Sequence, residues 1–322
     1  MSQPIKPESV LPTPAAVSEI PRPPKGDARG DSRPIGVFDS GVGGLTVLAA
    51  LRARLPDEAM VYLGDTARVP YGSKSPETVV TYAREATAHL VAQGIKMLVL
   101  ACNTATVHAL DILRAEWPGL PILGVVEPGA EAACAVSPQG RIAVIATEGT
   151  VAAGAYDRAI LRLRADAAVT ARPAALLVAL AEEGWVDDDI AEAVVRRYLQ
   201  PIFAAPPAER PDCLVLGCTH YPMLRRVIAK VAGPAVRLVD SSTTTADAAA
   251  RILSERHLAA GPGTAGTRNG TASLTRFLAT DGPDRFARLA SGFLGQPIGA
   301  DQVERALLPD LGSSAPARRA IS

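Results

Sequence analysis

Short, nearly continuous apolar runs alternate along this chain with longer stretches of helical spacing. Ile35-Gly-Val-Phe38, Met60-Val-Tyr-Leu63, Met97-Leu-Val-Leu-Ala101, Ile122-Leu-Gly-Val-Val126, Ile142-Ala-Val-Ile145, Leu214-Val-Leu216 and Val236-Arg-Leu-Val239 read as strands. A strand apolar at consecutive positions is covered on both faces, which is the mark of a parallel sheet. Between the runs, Leu48, Leu51 and Leu55 share one face of a helix that begins at Leu45 and stops before Pro56. Ser75-Pro76-Glu77 supplies an N-cap with proline at the first helical position, opening a helix to Gln93 with Gly94 as its stop. Another helix follows Asn103, and an amphipathic one runs from Asp187 to Phe203. The pattern predicts an α/β fold with parallel sheets flanked by helices.

The two ends read differently. Residues 1–33 hold seven prolines among scattered charges, with no sustained apolar period, so a disordered Pro-rich extension is expected. Residues 309–322 read as a flexible tail. The 322 residues suffice for two domains with buried cores. Apolar residues make up 48%, and 33 Lys and Arg balance 33 Asp and Glu, which argues against disorder throughout and against a basic nucleic-acid surface. A small-molecule partner fits better. No apolar run approaches the roughly 20 residues that cross a bilayer, and the first residues lack the apolar segment of a secretory signal. A cytoplasmic chain with no membrane partner is expected, whose four cysteines stay as thiols. Cys134 and Cys213, in small or apolar surroundings, read as buried core residues.

The other two cysteines carry the chemistry. Leu98-Val-Leu-Ala-Cys102-Asn103-Thr104 and Leu214-Val-Leu-Gly-Cys218-Thr219-His220 repeat one order: apolar strand, small residue, cysteine, then polar residues leading into a helix. Each half thus presents a thiol at the carboxyl end of a strand, the edge at which open α/β sheets bind ligands. The positive end of a following helix favours thiolate, so a lowered pKa is expected for both. Two thiols in matched settings suit a reaction with mirror symmetry, in which one removes a proton from carbon and the other delivers one to the opposite face. The carbanion then needs oriented donors. Ser40, Asn103, Thr104 and Thr219 stand at strand ends to supply them, while Asp39 and His220 lie close enough in sequence to serve as acid–base partners.

Other readings are weaker. A zinc site from Cys102, Cys218 and His220 lacks the usual ligand spacing. Gly41-Val-Gly-Gly-Leu-Thr46 mimics a dinucleotide loop but has Thr46 where the third glycine belongs, and nothing supports Lys74 as a pyridoxal anchor. A cysteine hydrolase or acyl transferase using Cys218 with His220, and a noncatalytic two-lobed binding protein, remain as rivals from other classes.

Phe38-Asp-Ser-Gly-Val-Gly-Gly-Leu45, Tyr62-Leu-Gly-Asp-Thr66, Pro70-Tyr-Gly-Ser-Lys-Ser75, Ala101-Cys-Asn-Thr-Ala-Thr106, Gly124-Val-Val-Glu-Pro-Gly129 and Leu216-Gly-Cys-Thr-His-Tyr-Pro222 together resemble the glutamate racemases, within the aspartate/glutamate racemase superfamily. The resemblance covers residues 34–308. It implies two flavodoxin-like domains facing each other around the substrate, over 34–128 plus 240–308 and over 129–239. It implies interconversion of L- and D-glutamate without a cofactor, supplying D-glutamate for peptidoglycan. Cys102 would act on D-glutamate with Asp39 assisting, and Cys218 on L-glutamate with His220 assisting. The family's further glutamate falls on Glu182 in Leu177-Val-Ala-Leu-Ala-Glu182, where Ala179 replaces a proline and Glu183 competes. Substrate binding falls on Asp39, Ser40, Pro70, Tyr71, Gly72, Cys102, Asn103, Thr104, Cys218, Thr219 and His220. The related aspartate racemases carry an acid where this chain has His220, which favours glutamate. A homodimer is implied, and activation by a cell-wall precursor is a family possibility.

Overall fold

The computed structural model describes residues 30–261 and 275–311. Most of the expected extension, to residue 29, and the tail from residue 312 lie outside the described residues. The chain forms β1 (Ile35–Asp39), α1 (Leu45–Arg54), β2 (Met60–Gly64), α2 (Pro76–Ala92), β3 (Met97–Leu100), α3 (Asn103–Glu116), β4 (Ile122–Gly124) and α4 (Val126–Val136). It continues with β5 (Arg141–Ala146), α5 (Glu148–Ala152), α6 (Ala155–Leu163), β6 (Ala168–Pro173), α7 (Leu176–Glu183), α8 (Asp189–Phe203) and β7 (Cys213–Gly217). Then follow α9 (Arg225–Ala232), β8 (Arg237–Asp240), α10 (Ser241–Glu255), β9 (Thr275–Ala279), α11 (Pro283–Leu294) and β10 (Val303–Arg305).

The strands form two parallel sheets, one of six in the order β10-β9-β2-β1-β3-β4 and one of four in the order β6-β5-β7-β8. The same arrangement, second-first-third-fourth, recurs in β2-β1-β3-β4 and in the smaller sheet. Strand order therefore reverses between β1 and β3 in one sheet and between β5 and β7 in the other. A crevice opens at the carboxyl ends of such a strand pair. Cys102 follows β3 and Cys218 follows β7, so both thiols sit at switch points.

Local chemistry explains the elements that hold these edges. β1, β2, β3 and β7 are buried along their whole length, as continuous apolar runs require. Ser75 caps α2 by accepting the amide of Thr78 at 3.3 Å, with Pro76 at the first helical position. One apolar cluster runs from Leu48, Leu51 and Tyr62 on the six-stranded side to Leu177, Leu216 and Tyr221 on the four-stranded side, so the lobes share a core.

Several expectations need correction. Val125 and Val126 do not prolong β4: Thr106 Oγ1 accepts the Val125 amide at 3.4 Å, and Val126 opens α4 with Pro128 in its first turn, where a missing N–H costs nothing. Cys213 is fully buried but Cys134 is only partly covered, because α4 leaves one side of it open. Residues 30–33 are anchored: the backbone of Gly30 bridges Ala260, and the buried Lys96 Nζ donates to the Asp31 carbonyl at 2.6 Å while pairing with Glu58. Among the described residues no helix is long and apolar enough to cross a membrane.

Candidate active site

Where the two switch points face each other lies a cavity of about 510 Å³. Its walls come from both sheets. Ser40 and Gly41 after β1, Pro70, Tyr71, Gly72 and Ser73 before α2, and Cys102, Asn103 and Thr104 after β3 form one side. Thr147 and Glu148 after β5, Ala175, Val178, Ala179 and Glu182 of α7 and its approach, and Cys218, Thr219 and His220 after β7 form the other. The loops interlock: a Cβ on Gly43 would stand 2.3 Å from His220 Nδ1, and Thr46 Oγ1 donates to the Thr219 carbonyl at 2.9 Å. Thr104 and Thr147 share a hydroxyl hydrogen bond of 3.0 Å across the opposite side.

On the first side, Cys102 is the N-cap of α3, its Sγ receiving the Ala105 amide at 3.4 Å and lying 3.5 Å from Ser40 Oγ. The lowered thiol pKa expected there is not found. Burial, followed by the negative charge of Asp39, pushes Cys102 up to about 12, against which the contacts with Ser40 and Ala105 are too weak. Asp39 is fully buried and is not among the residues that line the cavity, and its charge acts on both Cys102 and His220. Burial raises its own pKa, although the His220 charge and the amides of Gly41 and Gly44 oppose this.

The second side is built around an imidazole. His220 Nδ1 lies 3.8 Å from Cys218 Sγ, and Nε2 lies 3.2 Å from Glu182 Oε1. Burial alone would lower its pKa; the hydrogen bonds to Cys218 and Glu182, with the nearby acidic groups, outweigh burial and carry it up to about 10. His220 is thus held as imidazolium, a counter-ion beside the sulfur. Glu182 is held below its usual range, first by the His220 hydrogen bond. Glu183 is exposed, and it is Glu182 that faces the cavity. The Phe293 ring stands edge-on to the imidazole at 5.4 Å and closes its other side.

The remaining walls provide donors. Tyr156 OH donates to Asn103 Oδ1 at 2.8 Å, which fixes the amide and leaves Nδ2 buried without a protein partner. Such a group is costly unless something in the cavity accepts from it. Tyr71 turns its hydroxyl away onto Asp65, which also accepts from Arg68 at 2.7 Å and Thr280 at 2.9 Å, so the ring and backbone of Tyr71 face the cavity. Gly41, Val69, Ser73, Thr147, Glu148, Ala175, Val178 and Ala179 also line the cavity and were not anticipated. Thr147 had a usable signal, being the polar residue after an apolar strand and the N-cap of α5. Among the described residues no group of three His, Cys, Asp or Glu is placed to hold a metal ion. Two sulfurs, each beside its own acid–base partner and each within electrostatic reach of the other, therefore flank one polar cavity.

Comparison with known proteins gives a consistent result. The profile of the family described as Asp/Glu/Hydantoin racemase matches residues 45–249. A glutamate racemase from Geobacter metallireducens is 46% identical over 265 residues, covering 82% of this chain and 94% of its own. The crystal structure of glutamate racemase from Francisella tularensis in complex with D-glutamate superposes with a TM-score of 0.76 at 34% identity, over 86% of this chain and 98% of that one. The Escherichia coli glutamate racemase in complex with L-glutamate and activator UDP-MurNAc-ala does so with a TM-score of 0.67 at 28% identity, over 86% and 99%.

Proposed function

The chain belongs to the Asp/Glu/Hydantoin racemase family, and from that premise we propose that it interconverts L- and D-glutamate without a cofactor, through Cys102 and Cys218. The observation that carries this reading is the pair of thiols, one from each sheet, lining a single cavity. With Cys102 holding its proton and His220 charged beside Cys218, the resting site is set for the L enantiomer. A Cys218 thiolate, paired with the imidazolium, takes the α-proton. The Cys102 thiol then delivers its proton to the opposite face, and D-glutamate forms. For D-glutamate the protons start the other way round: Cys218 takes one from the adjacent imidazolium and delivers it to the opposite face, while Cys102 gives its own to Asp39, whose carboxyl burial makes more basic, and takes the α-proton as thiolate. Charge that develops toward the substrate carboxylate meets Asn103 Nδ2 and the hydroxyls of Ser40, Thr104 and Thr219.

The setting follows the same reading. The domains are taken as 34–128 with 240–308 and as 129–239, the enzyme as cytoplasmic and homodimeric, and its product as D-glutamate for peptidoglycan. An activator of the cell-wall-precursor class is part of the proposal, supported by the Escherichia coli relative crystallised with one.

A proton-NMR time course in D2O tests the chemistry. Deuterium is expected at the α-carbon from either enantiomer, and Cys102→Ala and Cys218→Ala are each expected to lower racemisation by about 10²–10⁴-fold. Activity that survives Cys102→Ala would favour a hydrolase built on Cys218 and His220. Tight binding without exchange would favour a noncatalytic protein.

A further inference from the structure

Behind the imidazole stands a group that the proton transfers do not use directly. Glu182 Oε1 contacts His220, while its other oxygen, Oε2, receives Arg285 Nη2 at 3.1 Å. Glu182 lies on α7, which follows β6 of the four-stranded sheet, and Arg285 lies in the first turn of α11, which follows β9 of the six-stranded sheet. The ion pair therefore crosses from one lobe to the other beside the cavity that holds both thiols. A carboxylate between two cations has one orientation that serves both, with one oxygen for each. Released from Arg285, Glu182 keeps a single anchor, and its side chain, 26% exposed, is free to swing toward water.

We propose that Arg285 is a positioning residue for the Cys218 half-reaction, acting through Glu182 to hold His220 against the sulfur whenever the lobes approach as they do here. The inference rests on the two-thiol reading. Arg285 does not itself line the main cavity and meets its wall through Glu182. Its side chain is 62% exposed, so its loss leaves the packing of α11 intact and its effect is modest in size. The groups that face His220 are Cys218, Asp39 and Glu182, with the Phe293 ring on the remaining side. A direct field from Arg285 would oppose the imidazolium, whereas a positioning effect supports it.

The test compares full-length wild type, Arg285→Gln and Arg285→Lys with each enantiomer, protiated and α-deuterated. Because L- and D-glutamate are equally stable, kcat/KM is equal in the two directions, and the asymmetry has to be read from isotope effects. Arg285→Gln is expected to lower kcat by about threefold to tenfold with KM within about twofold. As the Cys218 step becomes more rate-limiting, the primary isotope effect rises with deuterated L-glutamate and falls with deuterated D-glutamate. Arg285→Lys restores more than half of the lost activity. A kcat for Arg285→Gln equal to wild type, a change confined to KM, isotope effects that move together, or a lysine variant no better than glutamine would each overturn the proposal. Failure of the two-thiol reading has a separate signature: wild-type protein that does not racemise, or that keeps its activity as Cys102→Ala.

Discussion

Cys102 and Cys218 are matched in sequence and in burial, each 6% exposed, yet their surroundings set them apart. One shares its pocket with a buried carboxylate and stays a thiol; the other faces an imidazolium. A helix start contributes only the partial charge of its first free N–H groups, and here that is less than the cost of charging sulfur away from water. Alkylation reads the difference, since the thiolate is the nucleophile and access is equal. Brief iodoacetamide treatment of the free protein near neutral pH is expected to modify Cys218 at least about tenfold faster than Cys102, as followed by peptide mass spectrometry. Earlier modification of Cys102 would mean that the resting protons are arranged the other way round, with the thiolate on the Asp39 side.

At the level of elements, the loop into α1 shows how closely the lobes fit. A methyl group on Gly43 would meet His220 Nδ1 at 2.3 Å and Thr219 Oγ1 at 2.4 Å, and both belong to the turn that presents Cys218. Gly43→Ala is therefore expected to lower kcat at least about tenfold, through an imidazole pushed off its sulfur, at a stability cost of about 1–3 kcal/mol. Gly94→Ala is the control: its φ of +74° strains a side chain by about 1 kcal/mol, but nothing lies within 4 Å and activity should persist. If Gly43→Ala retained full kcat, the turn would have to be mobile enough to absorb the methyl. The strands that carry the thiols were legible because a doubly covered strand leaves an unbroken apolar run. β6 was not, since it is a mostly exposed edge strand, and α10 was not, since its buried face is Ser241, Ser242, Thr245, Ala246, Ala248 and Ala249 with Leu253 as its one large apolar residue. Small residues let α10 pack against α1 but give no strong apolar period. Within the site, Cys102, Cys218 and Glu182 carry recognisable chemistry, whereas Val178, Ala179 and Arg285 matter by placement alone, which only the fold supplies.

For the whole molecule, the charge that organises the cavity is also a term in its stability. His220 belongs to the four-stranded side but is enclosed by Gly43 and Phe293 from the other lobe, so its environment exists only in the assembled fold. A proton held more tightly in the native state than in the unfolded chain stabilises the native state wherever both hold it, and that advantage disappears as pH rises past the native value. For His220 the contribution is complete below its ordinary value of 6.5 and is lost as pH climbs toward about 10. Cys102 extends the loss, from its ordinary 9.0 toward about 12, because native burial resists the charging that the unfolded chain permits. Glu182, held low, acts in the opposite range, stabilising above its ordinary 4.5 and ceasing to do so as acid protonates it. The melting temperature is therefore expected to fall between about pH 6.5 and about pH 10, and His220→Asn, which removes the titrating group while keeping a polar side chain, should flatten that slope. Melting curves of the two proteins across this interval decide the matter: parallel slopes would show that the imidazolium does not help to hold the lobes together.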